Sequence, residues 1–271
     1  MTMMNRKTED DAKVPALTFE LPRGYLLVEG DEVHRLNRAT IREMTGEEED
    51  IIAQEEKTFT ERMHELVGSC MTSLSDGGSK SITSPKTLAK VTDHLLMSDL
   101  LTSIIRVREV TMGDEIRQKI KCPACTTLDG KPFIWTGVLS LKDFQGIPVD
   151  GDPLENIRTF TTSRGTILTW EMLTGQGELD QGKKKNKRER ATLALMARVR
   201  SIGEESEPKR VKDLLRKLPY VERQEIRKQF DQEGGIETEF ECVCRNCGHE
   251  FKAELDIGGK EFFFPSETSE D

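Results

Sequence analysis

The first regular pattern along the chain is extended. Leu17-Thr18-Phe19 and Tyr25-Leu26-Leu27-Val28 are β-type apolar runs, Glu29-Gly30-Asp31 is a turn, and Val33 to Ile41 reads as a strand running back. At Thr45 the pattern becomes helical. Thr45-Gly46-Glu47-Glu48 fits a capping box, with Thr45 as the N-cap and Glu48 three positions on. The acids Glu47 to Asp50 fill a first turn, where the helix dipole favours them. Met63, Leu66, Val67, Cys70 and Leu74 share one helical face, which predicts a second helix from Thr60 to Leu74, ended by Asp76-Gly77-Gly78-Ser79. A short helix is expected over Pro85 to His94. Ser98-Asp99 caps another, with Leu100, Leu101, Ile104 and Ile105 inward. Met112-Gly113-Asp114 then turns the chain into a strand, Ile116 to Lys121, which enters Cys122; Phe133 to Leu141 is the next strand.

The same grammar follows again. Arg158 to Thr162 and Thr166 to Leu173 predict a hairpin around Ser163-Arg164-Gly165. After Thr174-Gly175 and the acids Glu178 and Asp180, a helix is expected from Lys187 to Ile202, with Leu195, Met196, Val199 and Ile202 inward. Pro208 and Pro219 each open a further helix, since proline is tolerated in a first turn. Gly234-Gly235 ends the last one. Ile236, Thr238, Phe240 and Cys242 alternate with acids as a half-buried strand into Cys244, and Phe251, Ala253, Leu255 and Ile257 alternate on the way out.

Side by side, the two stretches have one order: hairpin, Thr-Gly, acidic helix start, helices, glycine turn, strand, C-x-x-C, strand. Glu43-Met44-Thr45-Gly46 is answered by Glu171-Met172-Leu173-Thr174-Gly175, and Gly113 and Gly235 each stand nine residues before a cysteine pair. The expected fold is therefore α+β, with two pseudo-repeated halves of β-hairpin plus helices joined by a zinc-ribbon-like four-cysteine module. The predicted parts are a polar, disordered N-terminal tail at 1–15, a first half at 16–150, a second half at 151–264 and an acidic tail at 265–271.

The cysteines give the two halves a chemistry. Cys122-Pro123-Ala124-Cys125 and Cys244-Arg245-Asn246-Cys247 each have the spacing by which one tight turn sets two thiolates on one zinc ion. A compact zinc ribbon separates its pairs by about 15–20 residues; here an entire half lies between them. A redox pair would place one thiol at a helix N-terminus, whereas both pairs are expected between strands. Four thiolates leave zinc no open position, so Cys122, Cys125, Cys244 and Cys247 read as a structural Zn2+ site. Cys70 and Cys242 read as core thiols, and His249 as an exposed strand histidine. His34, His64 and His94 form no visible triad. The chain has no G-x-S-x-G, H-E-x-x-H or phosphate-loop pattern, and no enzyme is assigned.

Composition narrows the classes. Of 271 residues 35% are hydrophobic, enough for a core, and only 6% are aromatic, so that core is expected to rest on Leu, Ile, Val and Met. No run approaches the ~18 apolar residues of a membrane span, and Met1 to Lys13 has acids where a signal peptide is apolar. A soluble intracellular protein is expected. The net charge of −9 disfavours a general polyanion binder, although Lys183 to Arg190 packs six positive charges into eight residues. That run reads as a solvated segment, a contact for an acidic protein partner, or a phosphate contact.

Arg42-Glu43-Met44-Thr45-Gly46-Glu47-Glu48-Glu49-Asp50-Ile51 resembles the signature of T4-type bacteriophage baseplate proteins. Leu100-Leu101 to Gly113-Asp114 leading into Cys122-Pro123-Ala124-Cys125, and the closing Cys244-Arg245-Asn246-Cys247-Gly248, are similar to members of that family as well. The resemblance covers most of residues 33–257, and the order of the motifs makes it specific; this chain is longer than typical members. It implies a component of the contractile-tail baseplate, in the hub or its assembly, with other phage tail proteins as partners. The implied location is the host cytoplasm during assembly, or the tail baseplate of the virion. No catalytic residues are implied. The alternative from another class is a zinc-ribbon nucleic-acid-binding accessory factor that uses Lys183 to Arg190.

Overall fold

The computed structural model describes residues 14–182, 190–257 and 260–264. The expected tails at 1–15 and 265–271, and the basic run, fall outside them but for Val14, Pro15 and the backbone of Arg190. Strand β1 (Ala16–Glu29) pairs antiparallel with β2 (Glu32–Arg42). The two apolar runs of the sequence are one strand, interrupted by a bulge between Glu20 and Tyr25. Gly24 in that bulge has φ +84°, and a Cβ there would lie 2.2 Å from the Leu36 carbonyl oxygen, so only glycine fits.

Helix α1 (Gly46–Ala53) starts where predicted, with the Glu48 carboxylate accepting the Thr45 N–H at 2.8 Å. Helix α2 (Phe59–Cys70) stops four residues earlier than the apolar spacing suggests. Met71 to Ser75 instead form β3 (Met71–Ser75), which pairs with β2 and places Leu74 opposite Ala39. Leu74 satisfies the helical and the extended phase equally; the open hydrogen-bonding edge of β2 decides between them. β4 (Ser81–Ile82) completes a sheet ordered β1-β2-β3-β4. Two helices follow, α3 (Pro85–Thr92) and α4 (Met97–Met112), then the hairpin of β5 (Glu115–Thr126) and β6 (Pro132–Ser140), and the short β7 (Gly146–Ile147). Leu96, rather than Ser98 or Asp99, is the N-cap of α4, because the Asp99 carboxylate reaches back to the Leu96 N–H at 3.2 Å.

The second half has β8 (Ile157–Thr161), β9 (Ile167–Glu171), α5 (Gly175–Gly182), α6 (Arg190–Met196) and β10 (Val199–Ile202). The helix expected from Lys187 to Ile202 is thus cut short: Val199 and Ile202 lie in a strand, opposite Trp170 and Leu168 of β9. The cause is the same as at β3, an open strand edge that captures a segment of ambiguous phase. After α7 (Pro208–Lys217) and α8 (Tyr220–Phe230) come β11 (Gly235–Ile236), β12 (Glu239–Val243), β13 (Glu250–Glu254) and α9 (Lys260–Phe263). Among the described residues no helix is long and apolar enough to cross a membrane.

One order of elements thus occurs twice. A hairpin (β1–β2, β8–β9) is followed by two helices and a third strand that pairs with the second hairpin strand (β3 on β2, β10 on β9). Two more helices lead to a glycine with positive φ, Gly113 at +85° and Gly234 at +73°, and then to a cysteine-bearing hairpin. The second turning glycine is Gly234; Gly235, which the sequence spacing singled out, opens β11.

Each half has an apolar cluster. The first gathers Leu36, Ile41, Val67, Leu74, Leu100 and Ile104. The second surrounds Trp170, which is 1% exposed, with Leu168, Leu195, Val211, Leu215 and Ile226. An aromatic-poor composition does not foretell that a tryptophan centres this core, its ring 5.3 Å from that of Phe230. The clusters interlock at their ends: Leu255, Ile257, Phe262 and Phe263 pack into the first, and Leu96 into the second. β11 also pairs with β7, and Leu96 bridges Thr174.

Candidate metal centre

The four predicted cysteines converge. The sulfurs of Cys122, Cys125, Cys244 and Cys247 all lie within 4.8 Å of one another. Cys122 Sγ is 3.8 Å from Cys247 Sγ, and Cys125 Sγ is 3.6 Å from Cys244 Sγ. A tetrahedral ion with metal–sulfur bonds of about 2.3 Å has sulfur–sulfur edges of about 3.8 Å. A disulfide needs about 2.05 Å. The cluster is therefore a set of free thiols spaced to hold one metal ion, and it bridges two β-regions separated by more than 100 residues of chain.

The two knuckles are built differently. Cys244 to Gly248 is the tight turn between β12 and β13: the Gly248 N–H donates to the Cys244 carbonyl at 2.8 Å, and the Cys244 N–H to the His249 carbonyl at 2.9 Å. Gly248 has φ +72°, the left-handed geometry glycine tolerates. Cys122 to Cys125 instead interrupts β5, where the register with β6 shifts between Lys121 and Thr126, and the turn proper lies beyond, at Thr127 to Lys131. Behind the sulfurs the hairpins pack through aromatics, with Trp135 and Phe240 6.0 Å apart at their ring centres and Phe240 edge-on to Phe144 at 6.3 Å.

Donors already point at the sulfurs. The Ala124 N–H reaches Cys122 Sγ at 3.4 Å, and the Asn246 side-chain amide reaches Cys125 Sγ at 3.3 Å. Such donors stabilise thiolates in a site where four negative sulfurs exceed the charge of a divalent ion. At Cys244 burial opposes ionisation, but the N–H groups of Cys247 and Asn246, together with the neighbouring Cys122 and Cys125 side chains, outweigh it and draw the thiol down to about 7. Cys122 and Cys244 are buried, Cys125 half-buried and Cys247 exposed, so the site closes from the inside and opens at one corner. Asn246 is the participant that sequence reading missed; an amide inside a C-x-x-C is the signal that could have found it.

The other candidates disperse. Cys70 is fully buried in the first core, its thiol pushed up to about 12 by burial, and Cys242 is buried opposite Phe251. His249 is exposed and stacks on Phe251. His34 faces Glu32, His64 bonds Asp93 through Nδ1 at 3.1 Å, and His94 lies beside Tyr25, three separate surroundings. The chain matches no protein-family model, no curated protein and no solved structure.

Proposed function

We propose that the four cysteines hold a structural zinc ion that fastens two pseudo-repeated halves, and that the chain serves as a non-enzymatic structural or assembly component of a contractile-tail baseplate. The observation that carries the fastening role is the four-sulfur cluster, with two ligands from each half and 3.6 to 3.8 Å between facing sulfurs. An all-thiolate tetrahedral set favours zinc over harder ions and leaves it no position for a substrate. Zinc chelation by such sets contributes on the order of 10 kcal/mol, whereas closing a loop of about 100 residues costs about 5 kcal/mol of chain entropy. The chelate outweighs the closure it imposes. The twice-used order of elements supports the pseudo-repeat. The tail assignment rests on the ordered resemblance running from Arg42 to Gly248.

Deleting the gene from the genome that carries it tests the tail assignment. Electron microscopy of the lysate should show tubes and sheaths without baseplates, restored by a plasmid copy. Normal contractile tails in its absence would remove the assignment.

A further inference from the structure

The two cysteine-bearing hairpins meet through one face each, Trp135 against Phe240, and so turn their other faces to solvent. Those outer faces carry opposite charge. On β5 the exposed alternating positions are Arg117, Lys119 and Lys121, and directly across on β6 stand Val138, Thr136 and Ile134. Glu115, at the end far from the knuckle, is the one acid in that row of β5. On β12 and β13 the outer positions are Glu239, Glu241 and Val243 facing Glu254, Lys252 and Glu250. Lys252 pairs with Glu239 at 2.5 Å, which leaves the other glutamates to make the face acidic. Among the described residues Arg117, Lys119 and Lys121 take no ion pair. Both faces also expose aliphatic side chains, Val138 at 56% and Val243 at 55%.

We propose that these two faces form one heterologous interface, in which the basic outer face of the β5–β6 hairpin in one copy docks on the acidic outer face of the β12–β13 hairpin in a second copy. Solvated charge alone accounts for neither the segregation of sign between the two strand pairs nor the exposed valines beside the charged rows. Isolated surface ion pairs contribute little, but complementary arrays of charge with exposed aliphatic side chains beside them suit an interface, and the charges fix its orientation. The two faces look in different directions from one metal-linked module, so the contact is head-to-tail and generates a ring or a filament. A nucleic acid would fit the basic face alone, and neither the acidic face nor the chain's net charge of −9 favours it. The inference goes beyond the fastening role and needs only the paired hairpins, not the tail assignment.

Sedimentation of the full metal-loaded chain tests it, at about 0.05 M and about 0.5 M salt. The wild type should associate with rising concentration at low salt and dissociate at high salt. Lys119→Glu with Lys121→Glu makes both faces acidic; Glu241→Lys with Glu250→Lys makes both basic. Each double variant, provided that it keeps wild-type circular dichroism and metal content, should sediment as a monomer where the wild type associates. An equimolar mixture of the two should associate again. A monomeric wild type at low salt, variants that associate as the wild type does, or a mixture that stays monomeric would each overturn the proposal. So would a monomer that binds duplex DNA through Lys119 and Lys121, which would give the basic face to nucleic acid.

Discussion

Gly175, in the Thr-Gly of the second half, lies directly against the ring of His64 in the first. A Cβ at Gly175 would stand 2.0 Å from His64 Cε1 and 2.7 Å from Leu100 Cδ1. The equivalent Gly46 has nothing within 4 Å. One motif thus answers two physical demands: Gly46 only opens a helix, whereas Gly175 lets the halves close. Its N–H also donates to the Leu95 carbonyl at 2.9 Å, which ties the contact to the backbone before α4.

Gly175→Ala should therefore destabilise the chain by about 1–3 kcal/mol through overpacking. Gly46→Ala should be neutral or raise stability by up to about 1 kcal/mol, as alanine does in a helix. Urea unfolding of the two variants checks this; equal effects would contradict the contact.

Asp99 holds the β1 bulge to the start of α4. Its carboxylate is fully buried and accepts the N–H groups of Arg23 at 2.8 Å, Gly24 at 3.0 Å and Leu96 at 3.2 Å. Asp99→Ala leaves three donors buried without acceptors and should cost about 3 kcal/mol or more. Asp99→Asn keeps one acceptor oxygen and should lose less. The order of the two midpoints in a denaturant titration is the readout.

Two buried carboxylates should give the folded state opposite pH dependences. At Glu48 burial opposes the charge, but Arg42, Ser69 and the N–H and hydroxyl of Thr45 outweigh it and hold the carboxyl well below its ordinary range. The unfolded chain binds this proton first as pH falls. Its contribution is therefore present above the ordinary value near 4.5 and is lost as pH drops below it. Glu48→Gln should flatten the acid limb of the stability profile.

Glu233, at the junction of the halves, behaves the other way. Burial pushes it up to about 7, against the pull of Arg198 at 3.1 Å and of the Leu173 N–H at 2.9 Å. The folded chain holds this proton where the unfolded chain has released it. Its contribution is full below 4.5 and is lost as pH rises through about 7. Glu233→Gln should remove on the order of 1–3 kcal/mol of pH dependence across that window. An unchanged profile in denaturant titrations at stepped pH would contradict the assignment.

The sequence carried the site well because its signal is local. Each C-x-x-C is four residues long, and its flanking strands alternate. The matched C-x-x-C spacings point to one shared ion, and the repeated order of elements accounts for the length of chain between them. Most helices and the first hairpin were legible from caps and periodicity. What was not legible depends on distant partners. β3 and β10 look helical until an open strand edge is available to them. Asp99 looks like a cap for its own helix until the β1 bulge supplies two more donors. Trp170 and the closing Phe262 and Phe263 gain their roles only from packing between segments far apart in sequence.

Metal analysis of the purified chain tests the central claim most directly. The wild type should contain one zinc ion per chain. Cys244→Ser and Cys122→Ser, which remove one ligand from each half, should each lower zinc content and thermal midpoint together. A wild type without metal, or a Cys244→Ser variant with undiminished zinc, would contradict a zinc fastener between the halves.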